Sequence, residues 1–239
     1  MAHWLLLRGL AREQRHWDAF PQKLADATRG TVQPLDFPGF GTERARSSPR
    51  DLKGIVFDLR RRWMALDPRP DRILGLSMGG MTALDWAARF PDDFSRLVVV
   101  NASSTESPAR LRFRPRAGIR LALGATRSDP LQRELDVLRA TSVNRRGDEA
   151  LARRWSLYAR PRTESVLAQL WAASRFQLPR DLKPPSLIVA GGKDRLVDPA
   201  CSERMAARLQ APLHIQPDAG HDLPLDAPDW LVGLVGDAN

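Results

Sequence analysis

Six short apolar runs, each continuous rather than alternating with polar residues, constrain this chain more than any other feature. They are His3–Leu7, Val32–Leu35, Arg72–Leu76, Leu97–Val100, Ser186–Ala190 and, more weakly, Leu213–Gln216. A strand covered on both faces reads this way, because neither side can be polar. Stretches with helical spacing separate the runs. They are Trp17–Ala27, then Leu52–Leu66 with Ile55, Leu59 and Trp63 on one face, then Met78–Phe90, halted by Pro91. Two more follow late in the chain, Cys201–Leu209, entered through Asp198-Pro199, and the apolar Pro228–Val235. Strands alternating with helices of this length predict an α/β fold: a mostly parallel sheet of about six strands with helices on both faces. The 239 residues suffice for one such domain carrying an insertion.

The alternation fails between Ser107 and Arg180, where only amphipathic helical patterns occur. Asp129-Pro130 opens one, with Leu131, Leu135 and Leu138 on its face. Asp148-Glu149 opens another, with Leu151, Trp155 and Tyr158. Thr163 is a candidate cap for a third, with Val166, Leu167, Leu170 and Trp171. The expected division is a core of residues 1–106 and 181–239 with a helical cap at 107–180. The same block carries sixteen arginines and no lysine against six acidic residues, a net of +10, whereas the whole chain is +9. The positive field therefore belongs to the cap. It is either a solvated helical face or a means of steering toward a negatively charged partner.

Composition narrows the setting. The one cysteine, Cys201, has no internal partner, which points to a reducing, cytoplasmic location. The apolar start is broken by Arg8 too early for a signal peptide, and no run approaches the roughly 20 residues needed to span a membrane. The four histidines are dispersed, so no metal site or other cofactor is expected. Nucleic acid is not an expected partner either, since the arginines lie along helices without interleaved aromatic platforms.

The third run leads into Gly75-Leu76-Ser77-Met78-Gly79-Gly80 and then into a helix. Gly-x-Ser-x-Gly between a strand and a helix suits a sharp turn that lifts a serine hydroxyl clear of the sheet edge. A glycine-rich loop with an ordinary serine is the plainer alternative. A hydroxyl at neutral pH needs a base within reach, and the base needs an orienting group. His3 falls in the first run, His16 near the first helix, and His214 in the last run, where a packed strand histidine is expected. His221 lies in Asp218-Ala-Gly-His-Asp-Leu-Pro, a loop past the last strand, and is the candidate base. Asp194 directly follows the strand at Ser186–Ala190, where ligand sites of open parallel sheets collect, and is the candidate orienting acid. Asp198 is its rival, although its place before Pro199 suits a helix cap better. The order Ser77, Asp194, His221 is that of α/β-hydrolases.

These pieces, together with Leu-Leu-Leu-Arg-Gly-Leu at 5–10, Asp36-Phe-Pro-Gly-Phe-Gly41 and Gly-Gly-Lys-Asp-Arg-Leu-Val-Asp-Pro at 191–199, resemble the α/β-hydrolase superfamily, in its capped, small carboxylesterase form. The resemblance implies an eight-stranded sheet, with this chain beginning at the third strand and so lacking the first hairpin. It also implies a serine carboxylesterase with an acyl-enzyme intermediate and an oxyanion hole from the amides of Met78 and Leu10. Where the family has His-Gly after its first strand of this region, the chain has Arg8-Gly9. Arg8 is either ion-paired at the strand end or turned toward a substrate carboxylate. Trp155, Leu170, Trp171 and Phe176 of the cap either pack helices together or line an acyl pocket. The layout is also similar to pimeloyl carrier-protein methyl ester esterases, which implies a small or carrier-linked ester as substrate and an acidic acyl carrier protein as partner. Lactone, thioester and perhydrolysis chemistry on the same three residues are the alternatives. Serine at position 77 argues against the dehalogenases and epoxide hydrolases of this fold, whose nucleophile is aspartate.

Overall fold

The computed structural model of the protein describes residues 2–236. Six strands, β1 (Trp4–Leu7), β2 (Val32–Pro34), β3 (Arg72–Leu76), β4 (Arg96–Val100), β5 (Ser186–Gly191) and β6 (Leu213–Gln216), form one sheet in the order β2-β1-β3-β4-β5-β6. Every neighbouring pair is parallel. The continuous apolar runs have the expected cause. Leu5, Leu7, Ile73, Leu97, Val99 and Ile188 point into one apolar layer. The alternate residues Trp4, Leu6, Leu74, Leu76, Val98, Val100, Leu187 and Val189 point into the opposite one. A polar residue at any of these positions would be buried without a partner.

The first layer is closed by α2 (Leu52–Trp63), α3 (Met78–Arg89) and α9 (Ala200–Leu209). The second is closed by α1 (Phe20–Thr28) and α11 (Pro228–Gly236), which follows the short α10 (Leu223–Asp226). Asp51 starts α2 by accepting the Gly54 N–H at 2.7 Å. The first helix begins later than its apolar spacing predicts. Gln14–Trp17 is a 3-10 turn, Asp18 has φ 52°, and α1 starts at Phe20 with Pro21 in its first turn. Proline fits there because the N–H it lacks would have had no helical acceptor.

Between β4 and β5 lie α4 (Ala109–Arg112), α5 (Pro115–Thr126), α6 (Pro130–Thr141), α7 (Glu149–Ser156) and α8 (Thr163–Ser174). Asp129 and Asp148 cap α6 and α7, accepting the N–H groups of Leu131 at 2.9 Å and Leu151 at 2.8 Å. Leu135, Leu138, Leu151, Ala152 and Trp155 give α6 and α7 a small core of their own. Ala172 of α8 and Phe176 just beyond it join the main core instead. Two details differ from the sequence expectation. Thr163 is the first helical residue and does not cap α8; the cap position is Arg162, which makes no side-chain cap bond. His214 is exposed rather than packed, because β6 is an edge strand. No helix among the described residues is long and apolar enough to cross a membrane.

Candidate active site

The ends of β1, β3, β4 and β5 meet at one rim of the sheet. Between β3 and α3, Ser77 has φ 57° and ψ −116°, a backbone conformation that non-glycine residues rarely adopt. Its N–H donates to the Val100 carbonyl at 2.7 Å, and its carbonyl accepts the Met81 N–H at 3.1 Å. The bend is tight enough that two glycines are required by their neighbours. A Cβ on Gly75 would lie 2.3 Å from the Gly79 carbonyl carbon, and one on Gly79 would lie 2.1 Å from the Leu7 carbonyl oxygen. Bare backbone at both positions lets α3 start directly against the ends of β1 and β3. A Cβ on Gly9 would meet Ser77 Cβ at 3.2 Å and Ser77 Oγ at 3.7 Å, so the loop after β1 runs alongside the serine. Leu10 follows in that loop, half-buried, and Met78 is buried at the first position of α3.

Asp194 and His221 meet at the end of β5. His221 Nδ1 lies 2.7 Å from Asp194 Oδ2, with both residues buried. The other carboxylate oxygen accepts the N–H groups of Leu196 at 2.7 Å and Val197 at 2.9 Å. Two backbone donors thus fix Oδ1, which leaves Oδ2 facing the imidazole. Asp198 stands one residue before the cap position of α9, which is Pro199 and makes no side-chain cap bond; it accepts the Ala200 N–H at 3.1 Å and pairs with Arg114 at 3.2 Å.

Asn101, which no motif pointed to, ties the rim together. It follows Val100, the acceptor of the Ser77 N–H, and has φ 50°. Its Nδ2 donates to the carbonyls of His221 at 2.8 Å and Gly220 at 3.2 Å, and its Oδ1 accepts the Gly191 N–H at 2.8 Å. One buried amide therefore joins the segment beside Ser77 to the histidine loop and the end of β5. The only hint in the sequence is a polar residue directly after a buried strand.

Arg8 is ion-paired at the end of β1. Its guanidinium makes a two-point pair with Asp222, Nη1 to Oδ1 at 3.0 Å and Nη2 to Oδ2 at 2.6 Å, and stacks 4.8 Å over the Trp17 ring. Arg8 is 3 % and Asp222 4 % exposed. This two-point pair joins the loop after β1 to the histidine loop, while Arg8 Nε has no hydrogen-bond partner among the described residues. A second clamp comes from the insertion. Asp226 accepts the N–H groups of Gly220 at 2.7 Å, Val143 at 2.9 Å and Asn144 at 3.1 Å, and the Ser142 hydroxyl.

Trp155 and Trp171, the two tryptophans expected to bind substrate, differ in their surroundings. Trp155 is buried inside the α6–α7 core, its ring edge-on to His16 at 4.9 Å. Trp171 is 52 % exposed with the Arg175 guanidinium 3.9 Å above it. Trp155 is thus packed against His16 and Arg12, whereas Trp171 keeps half of its surface exposed. His16 is buried against the rings of Trp155 and Tyr158. Desolvation, reinforced by Arg12 and Arg8, pushes its pKa well below the ordinary histidine value.

Residues 4–234 match the model of the alpha/beta hydrolase family. Among curated proteins, the chain is 28% identical over 238 residues to RutD of Caulobacter sp. strain K31, provisionally described as a carbamate hydrolase, covering 94% of this chain and 85% of that one. It is 29% identical over 205 residues to the pimeloyl-[acyl-carrier protein] methyl ester esterase of Chromobacterium violaceum, covering 82% and 78%. Among solved structures, a hydrolase from Pseudomonas aeruginosa PA01 superposes with a TM-score of 0.75 at 25% identity, covering 98% of this chain and 88% of that one.

Proposed function

This chain belongs to the alpha/beta hydrolase family, and from that premise we propose that it is a serine hydrolase of carboxylic esters, acting through Ser77, His221 and Asp194. The observation that carries the reading is the buried 2.7 Å Asp194–His221 contact at the same rim as a serine held in a strained strand-to-helix turn. In this mechanism His221 Nε2 takes the Ser77 proton as Oγ attacks the acyl carbon. The amides of Met78 and Leu10 receive the oxyanion, a role supported by the close run of the Gly9 loop past Ser77. The carbon–oxygen bond to the alcohol breaks, and the alcohol leaves with the proton held by His221. Water then adds to the acyl-enzyme by the same route, releasing the acid and restoring Ser77. Asp194 keeps the imidazole in one tautomer and offsets its transient positive charge.

Residues 107–180 act in this reading as a cap over the rim, and a carrier-linked methyl ester as the substrate. Two observations favour that choice: the pimeloyl-carrier esterase relative, and a cavity of about 740 Å³ lined by Arg116, Arg120, Arg127, Arg139 and Arg146 with Ile119 and Leu123, in which Asp136 pairs with Arg127 and Arg139. An excess of arginine beside the exposed Ile119 and Leu123 suits an acidic carrier presenting an acyl chain. The test is a panel of chromogenic and methyl esters of graded acyl length, free and carrier-linked. Wild type should turn over esters and Ser77→Ala should lose about 10⁶-fold in kcat. A preference for carrier-linked ester that disappears in high salt supports the carrier; equal rates on both forms remove it. No ester turnover at all removes the esterase reading.

A further inference from the structure

Helix α8 lays an apolar face of Val166, Ala172, Ala173 and, just past its end, Phe176 on the cluster that also holds Leu10, Ala11 and Met78. These spacings put Gln169 in the middle of that face, three residues from Val166 and from Ala172. Gln169 is 0 % exposed. Its Oε1 accepts the Ala11 N–H at 3.3 Å. Because a backbone N–H can only donate, the carboxamide is fixed in orientation, with its NH₂ group turned away from Ala11. Among the described residues that Nε2 has no hydrogen-bond partner. Ala11 has φ 57° and lies two residues beyond Gly9, whose backbone borders Ser77. A buried amide donor is therefore anchored to the loop that flanks the candidate nucleophile.

We propose that Gln169 is a specificity-determining residue, donating a hydrogen bond from Nε2 to a second oxygen of the ester substrate, a carbonyl or carboxylate a few bonds from the scissile carbon. This rests on the ester hydrolase reading above and adds the class of ester. A plain hydrocarbon acyl chain leaves the donor unpaired on binding, whereas a chain with an oxygen acceptor satisfies it. The Ala11 bond makes the donor rigid, so the preference depends on where the oxygen sits along the chain.

The experiment compares methyl heptanoate with methyl 4-, 5- and 6-oxoheptanoate, and with 2-oxopropyl heptanoate for an acceptor on the alcohol side, following acid release. Wild type should favour at least one oxo ester over methyl heptanoate by about tenfold in kcat/KM. Gln169→Met removes both hydrogen bonds, and Gln169→Glu, assayed at pH 8.5, keeps an acceptor for Ala11 while removing the donor. Both should bring the ratio below about threefold, whatever happens to the common rate. A mere peg for the Ala11 loop would slow every ester alike and leave the ratio intact, and that result overturns the proposal. So does a wild-type enzyme with no oxo preference. If methyl heptanoate is hydrolysed in a Ser77-dependent way while the ratio stays flat, only the role of Gln169 falls. If no ester is hydrolysed, the esterase reading falls with it.

Discussion

Replacing Arg8 by methionine separates an ion-paired Arg8 from a substrate-binding one. In the structure the guanidinium is the partner of both Asp222 carboxylate oxygens, and the two side chains are 3% and 6% exposed. Arg8→Met leaves that carboxylate buried without its partner. Removing one member of such a pair costs about 3–5 kcal/mol. For a chain of this size each kcal/mol moves Tm by about 2–4 °C, so the melt should fall by roughly 6–20 °C. The double variant Arg8→Met with Asp222→Leu removes both charges and should recover most of that loss, since a matched apolar pair is often as stable as the ion pair. Urea unfolding of wild type, both single variants and the double variant closes the cycle. A drop in Arg8→Met below about 1 kcal/mol, or no recovery in the double variant, refutes the buried-pair reasoning. A rise in KM for anionic esters with unchanged stability would restore Arg8 to the substrate.

Asp194→Asn should keep the fold and lower kcat by about 10⁴-fold, because the amide no longer enforces the Nδ1–H tautomer of His221; an assay of ester turnover within tenfold of wild type contradicts it. His16 supplies a pH dependence of stability. Its folded pKa lies well below the ordinary value, so below about pH 6.5 the unfolded chain takes up a proton that the folded chain refuses. Its contribution is thus full above about pH 6.5 and is lost as pH falls, at up to about 1.4 kcal/mol per pH unit. Urea midpoints from pH 7.5 to 5 should decline in wild type and be flatter in His16→Gln; parallel lines would show that His16 does not titrate as described.

The inner strands β1, β3, β4 and β5 were legible because they are buried on both faces, which a continuous apolar run tolerates; the edge strands β2 and β6, with Gln33, His214 and Ile215 exposed, carry the weaker signal. Ser77, Asp194 and His221 could be picked out because each lies in a short loop directly after a strand, where chain order fixes position along the rim. What escaped detection depends on partners far away in sequence. Asp222 meets Arg8 across 214 residues, and Asp226 meets Val143 across 83. Asn101 looks like any loop asparagine until the His221 carbonyl is seen on its amide. Helix α5 was not singled out, because its Ile119 and Leu123 stay 60% and 62% exposed and its spacing marks no buried stripe. Trp155 and Trp171 show the limit of residue type as a guide. The same aromatic surface can line a pocket, fill a small core against His16, or carry an arginine at the surface, and only packing distinguishes them.

The most direct test of the account is the site of covalent capture. Wild-type protein treated with a fluorophosphonate and mapped by peptide mass spectrometry should carry one adduct, on Ser77, with loss of ester turnover in proportion to labelling, and Ser77→Ala should take none. Modification of a different residue, or undiminished labelling and hydrolysis in Ser77→Ala, would contradict it.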